Sequence, residues 1–181
     1  MKQRYMLIAG GVDRKGIVYK LTNVLKEFNF NIEDSSMIML RRTFSVIMLL
    51  SADLKAKSDL FDKEINKFSK KYEMTMEIKK ITENEMKEYG GEERIYVISI
   101  SGADKPGIVN AITKKLYEVG ANIVDLETKS SEKVTPHAYY MFLEVTLPKK
   151  INAKRIQTQL VKEGKRIGVH VSFSEADKSI L

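Results

Sequence analysis

The stretch Gly102-Ala103-Asp104-Lys105-Pro106-Gly107-Ile108-Val109 occurs twice, the first time as Gly11-Val12-Asp13-Arg14-Lys15-Gly16-Ile17-Val18. The match runs without a gap from Gly11 to Asp34 at an offset of 91 residues, and 11 of its 24 positions are identical. A chain that repeats itself over such a span folds as two similar units. The 181 residues then make two units of roughly 90 each, long enough for a modest core apiece.

Composition narrows the chemistry. The chain has no cysteine, which excludes disulfide frameworks, thiolate metal sites and thiol nucleophiles. The apolar run after Met1-Lys2-Gln3-Arg4 ends at Ala9 and is soon followed by Asp13, too short for a secretory signal. No run approaches the ~18 apolar residues of a membrane span, so a cytoplasmic protein without a membrane partner is expected. Net charge is +7, from 31 basic and 24 acidic residues. The charges are interleaved, as in Lys63-Glu64 and Lys162-Glu163, and read as a solvated mixed-sign surface. One basic cluster, Lys154, Arg155, Lys162, Lys165 and Arg166, falls on or after the last helix. The positive balance is otherwise expected to be diffuse, without specific nucleic-acid binding.

Hydrophobic periodicity orders the elements. Tyr5 to Ala9 is a strand that Gly10-Gly11 is expected to end. Asp13 stands where a helix N-cap belongs, ahead of Ile17, Leu21, Leu25 and Phe28 at helical spacing. Asn29, aligned with Gly120, marks the helix stop, since both residues tolerate the left-handed conformation. Ile38 to Leu40 and Phe44 to Leu50 form a hairpin around Arg41-Arg42-Thr43. In copy two Phe44 aligns with Tyr139, so four extra residues fall in the polar loop Ser130 to Pro136. A second helix follows (Phe61, Ile65, Phe68 and Tyr72; Ile156, Leu160 and Val161), then an alternating strand (Met74, Met76 and Ile78; Val169, Val171 and Phe173). Each unit reads strand, helix, strand, strand, helix, strand. That is the α+β, ferredoxin-like arrangement of an antiparallel four-stranded sheet with both helices on one face. The expected limits are 1–82 for the first domain, 83–93 for a charged linker with Gly90-Gly91, 94–174 for the second domain and 175–181 for a tail.

The repeated Gly-Asp-Gly-Ile-Val loops, Asn31-Ile32-Glu33-Asp34-Ser35, and Phe44 to Ser51 carry a resemblance over residues 4 to 174. The chain resembles tandem ACT-domain regulators and is most similar to the glycine cleavage system transcriptional repressor family. The resemblance implies two βαββαβ ACT domains and a ligand site at the loop between strand one and helix one, near a domain interface. It also implies sheets that pair side by side, and an effector role without catalysis and without a DNA-binding element of its own; no cofactor or metal is expected. The implied partners are a small amino acid, a protein that the chain regulates, and further copies of itself in a homo-oligomer such as a dimer.

The residues of the loop suit such a ligand. A helix start offers free amides and partial positive charge to a carboxylate, here at Gly107 and Ile108. Gly107 leaves the approach open, and Pro106 fits a first helical turn. Asp104 is expected to hold the ammonium group, and Asn122 or the Ile123 backbone to close the other side. Glycine or serine is the expected size of ligand. Copy one offers Gly11, Asp13, Gly16, Ile17, Asn31 and Ile32, but Lys15 replaces the proline, so copy two is favoured.

Other motifs fall away. The glycine spacing is that of a P-loop, yet Ile17 and Ile108 occupy the lysine position. An RNA-recognition module shares the element order. It needs stacking aromatics that Arg42 to Ile47 lacks, and copy two, with Tyr139, Tyr140 and Phe142, lacks the basic-glycine start. His137 and His170 stand without metal-ligand spacing. The alternatives that stay open are an RNA-binding module and a detached regulatory subunit of an amino-acid biosynthetic enzyme.

Overall fold

The computed structural model describes residues 2–53, 59–86, 94–131 and 137–176. The expected linker from residue 87, the loop residues 132–136 and the tail from residue 177 lie outside the described residues. The chain divides into two compact units, Met1–Glu88 and Tyr89–Leu181.

The first unit runs β1 (Lys2–Val12), α1 (Ile17–Glu27), β2 (Asn31–Leu40), β3 (Thr43–Asp53), α2 (Asp59–Tyr72) and β4 (Thr75–Lys80). The second repeats it as β5 (Ile95–Ala103), α3 (Ile108–Glu118), β6 (Asn122–Ser131), β7 (Ala138–Thr146), α4 (Ala153–Ile167) and β8 (Val169–Glu175). Both sheets are antiparallel, ordered β2-β3-β1-β4 and β6-β7-β5-β8. This is the ferredoxin-like fold, twice.

One face of each sheet carries the core. In the first unit Tyr5, Leu7 and Ala9 of β1 and Phe44, Val46, Met48 and Leu50 of β3 alternate inward, meeting Ile17, Leu21 and Leu25 of α1 and Phe61, Ile65 and Phe68 of α2. In the second unit Ile98 and Ile100 with Met141, Leu143 and Val145 meet Ile108, Ile112 and Leu116 and then Ile156 and Leu160. The period of two on strands and of about 3.6 on helices makes these faces continuous.

The helix stops are as expected. Asn29 has φ 57 and Gly120 φ 70. The Phe30 and Asn29 amides donate to the carbonyls of Leu25 and Lys26, and those of Ala121 and Gly120 to Leu116 and Tyr117. Both ends are Schellman motifs. The strands differ in extent from the expectation. β1 does not stop at Gly10-Gly11 but continues to Val12, since Gly10, Gly11 and Val12 pair with Ser45, Phe44 and Thr43. β2 begins at Asn31 rather than near Ile38, and Thr43 belongs to β3. The hairpin turn is therefore only Arg41-Arg42. Arg41 sits at φ 57, because a two-residue loop must twist with its strands. Glu175 ends β8 rather than opening a tail, and the Ala176 amide still donates to the Ile95 carbonyl at 2.8 Å.

Candidate functional site

The loop from β1 to α1 is pinned to the hairpin beside it. The Asp13 amide donates to the Arg42 carbonyl at 2.7 Å, and the Asp104 amide to the His137 carbonyl at 2.8 Å. The chain then makes one turn and enters the helix through a glycine, Gly16 at φ 79 or Gly107 at φ 91. These glycines, not Asp13 and Asp104, are the N-caps, and no side chain caps either helix. The aspartates stand three residues too early because the strand runs longer than expected. Pro106 likewise lies in the turn before the cap rather than in the first helical turn. Nothing lies within 4 Å of the place where a Cβ on Gly16 or Gly107 would stand, so these glycines answer to positive φ and open space lies beside them. Gly11 is different. A Cβ there would stand 3.1 Å from Met74, and one on Gly102 would stand 2.9 Å from Val169. Those two glycines let β1 and β5 approach the start of the neighbouring strand.

The other candidates divide. Ile17 and Ile108 bury their side chains in the core, leaving only their main chain near the loop. In copy one the Ile17 amide already donates to the Arg14 carbonyl at 3.0 Å. The asparagines do not join the loop within one unit. Gly11 pairs with Phe44 while Asn31 pairs with Ser51, seven residues along the same strand. Gly102 and Asn122 are set apart in the same way, opposite Tyr139 and Thr146. At ~3.3 Å per residue that is roughly 23 Å, the length of the sheet. Asn31, Ile32, Asn122 and Ile123 thus stand at the far end from Asp13, Gly16, Asp104, Pro106 and Gly107. The helix carries the chain from one end to the other, and sequence order alone conceals this.

The second unit also holds a cleft that the sequence reading did not single out. It has a volume of about 540 Å³ and lies between α3 and α4, against the loop. Lys105, Pro106, Gly107, Lys114, Lys115 and Arg166 line it, together with Glu163. Arg166 donates twice to Glu163, at 2.5 and 3.1 Å, and holds that carboxyl below the usual carboxylate range, with smaller help from Lys115 and Lys114. Lys115 pairs with Glu118 at 2.7 Å, which raises its pKa. The basic cluster expected on α4 is thus divided: Lys162, Lys165 and Arg166 border the α3–α4 surface, while Lys154 and Arg155 stand at the other end of the helix. Among the described residues no group of three His, Asp or Glu side chains could hold a metal ion, and no helix is long and apolar enough to cross a membrane.

Known proteins match this architecture. A protein-family model described as ACT domain matches residues 4–79 and again 94–174. A UPF0237 protein of Pyrobaculum aerophilum is 34% identical over 82 residues, covering 45% of this chain and 87% of its own length. A UPF0237 protein of Methanocaldococcus jannaschii is 32% identical over the same shares. Among solved structures, an unknown protein from Galdieria sulphuraria superposes with a TM-score of 0.80 at 26% identity, covering 98% of this chain and all of its own. A protein provisionally assigned as a glycine cleavage system transcriptional repressor superposes with a TM-score of 0.68 at 15% identity, covering 98% and 99% of the two chains.

Proposed function

This chain belongs to the ACT-domain family, and on that premise we propose that it is a non-catalytic regulator that senses a small amino acid and modulates a protein partner. The observation that carries the reading is the uncapped helix start behind Gly107, with open space beside it. Free first-turn amides and the partial positive charge of the helix suit a carboxylate. Asp104, relieved of any capping duty, is left to face an ammonium group. Control of glycine metabolism at the level of transcription is the finer form of this proposal, and the protein assigned as a glycine cleavage repressor lends it a fold and no more.

Asn122 enters the same site only from another chain. β6 is an edge strand. Paired antiparallel with β6 of a second copy across a twofold axis, it would carry Asn122 of one chain toward the loop end of the other. The site then needs the homodimer.

Calorimetry of the full chain with glycine and serine tests the proposal. Asp104→Asn and Asn122→Ala are each expected to weaken binding about tenfold or more, the worth of one charge-assisted hydrogen bond. Asp104→Asn should leave stability within about 0.5 kcal/mol, because Asp104 caps nothing. Binding unchanged in both variants would place the ligand elsewhere.

A further inference from the structure

The duplication supplies an internal control for the cleft of the second unit. Met74 and Val169 occupy equivalent places, each against the matching glycine of the first strand of its unit. Counting back from them sets Glu73 against Gly168 and Phe68 against Glu163. The loop repeat sets Arg14 against Lys105 and Val24 against Lys115.

In the first unit the matching positions carry an aromatic pair in place of the Glu163 carboxylate, and Lys71 stands where Arg166 does. Phe68 is buried with its ring tilted against that of Tyr72, centroids 4.6 Å apart, Val24 packs against the same core, and the Lys20 ammonium lies over the Tyr72 ring at 5.1 Å. The loop cation Arg14 is paired with Glu73 at 2.6 Å. In the second unit the cations at the loop and on the second helix are kept, but three of their neighbours change. Glu163 replaces the phenylalanine, Lys115 the valine, and Gly168 the pairing glutamate. Lys105 still reaches from the loop to the end of α4, its ammonium 3.1 Å from where a Cβ on Gly168 would stand. It meets no carboxylate there among the described residues, and Lys114 likewise makes no ion pair among them. Four cations, Lys105, Lys114, Lys115 and Arg166, face one carboxylate, Glu163, around the cleft.

We propose that this cleft binds a small phosphorylated anion, through Lys105, Lys114 and Arg166. A guanidinium has five N–H donors, and Glu163 occupies two of them while fixing the group in place. The remaining donors and the two unpaired ammonium groups suit the several oxygens of a phosphate. The volume is that of a small-molecule site, and Glu118 and Glu163 interrupt the basic surface as a polynucleotide track would not. Both sites adjoin Gly107, but this proposal does not rest on the amino-acid reading: that one is tested at Asp104 and Asn122, outside the lining of the cleft, and this one at Lys105 and Lys114 within it.

The test is calorimetry of the full chain with pyrophosphate at about physiological salt. One saturable site per chain is expected. Lys105→Ala combined with Lys114→Ala should weaken it at least tenfold. Gly168→Glu, which rebuilds the ion pair of the first unit, should weaken it severalfold. Lys154→Ala combined with Arg155→Ala removes the same charge at the other end of α4 and should change affinity less than twofold. Absence of saturable binding at millimolar pyrophosphate overturns the proposal. So does an equal loss in the Lys154/Arg155 variant, because the attraction is then the diffuse field of a basic protein.

Discussion

The seam between α1 and α2 is closed by Val24, Phe68 and Tyr72, whereas the matching positions between α3 and α4 hold Lys115, Glu163 and Ile167. The backbone plan beneath the two seams is the same. Helices α1 and α3 both enter through a left-handed glycine and leave through a Schellman motif. Both second strands carry a bulge at the matching place, Ile32/Asp34 and Ile123/Asp125. The difference teaches which parts of this module are fixed by the chain path and which are free. Turn conformations and strand register recur because altering them misplaces whole elements. The seam can exchange an aromatic seal for an ionic one, because the sheet-facing residues of each helix already anchor it.

The strongest challenge to that comparison is to exchange the seam residues. Phe68→Glu is expected to destabilise the first unit by about 3 kcal/mol or more, losing a buried ring and desolvating a carboxylate. Glu163→Phe should change the second unit by only about 1 kcal/mol, since a partly buried ion pair is often matched by an apolar group of similar volume. Urea unfolding of the full chain, read by probes placed in each unit, measures both. Similar costs in the two units would show that the seams do the same work.

A smaller effect tests the shared features. Gly16→Ala and Gly107→Ala should each cost about 1–2 kcal/mol, and by equal amounts, because positive φ alone requires glycine at both. Unequal costs would reveal a difference between the loops that the backbone does not display. Smaller again is the exchange at the helix stops. Gly120→Asn should cost less than about 0.5 kcal/mol, since copy one already uses Asn29 in that conformation.

The smallest expected effect is on acid stability. Glu163 has its pKa lowered, first by the Arg166 hydrogen bond. A depressed carboxyl contributes stability that is present above its ordinary range and is lost as pH falls through the depressed value. Arg166→Gln should remove that small part of the acid response of the second unit and leave the first unit unchanged. Unfolding curves between neutral pH and pH 3 would show it. An unaltered acid response in Arg166→Gln would mean that the pair contributes nothing.

What the sequence disclosed follows the same division. The order of elements, the buried stripes of α1 and α3 and the left-handed stops at Asn29 and Gly120 were legible because each leaves a local periodic or conformational mark. The helix starts were misread, since Asp13 and Asp104 look like caps until β1 and β5 are seen to run past their glycines. Asn31 and Asn122 were grouped with the loop because they follow it in the repeat. Only the topology shows that a helix separates them by the length of a sheet. The basic cleft was hidden because the repeat alignment covered the loop and first helix. Extending the offset of Phe44 and Tyr139 into the second helix would have set Glu163 against Phe68 and Gly168 against Glu73.

Every residue of β2 is exposed, and only one side of the strand is paired. In the language of hydrogen exchange, such a strand is a comb. Alternate amides are held by β3, and those between them face solvent and trade their hydrogens freely. β6, with Asp125, Glu127 and Lys129 along it, has the same pattern under more charged side chains. A second strand laid along either edge would fill the gaps in its comb, so the deuterium pattern of these two strands reports which edge another chain covers.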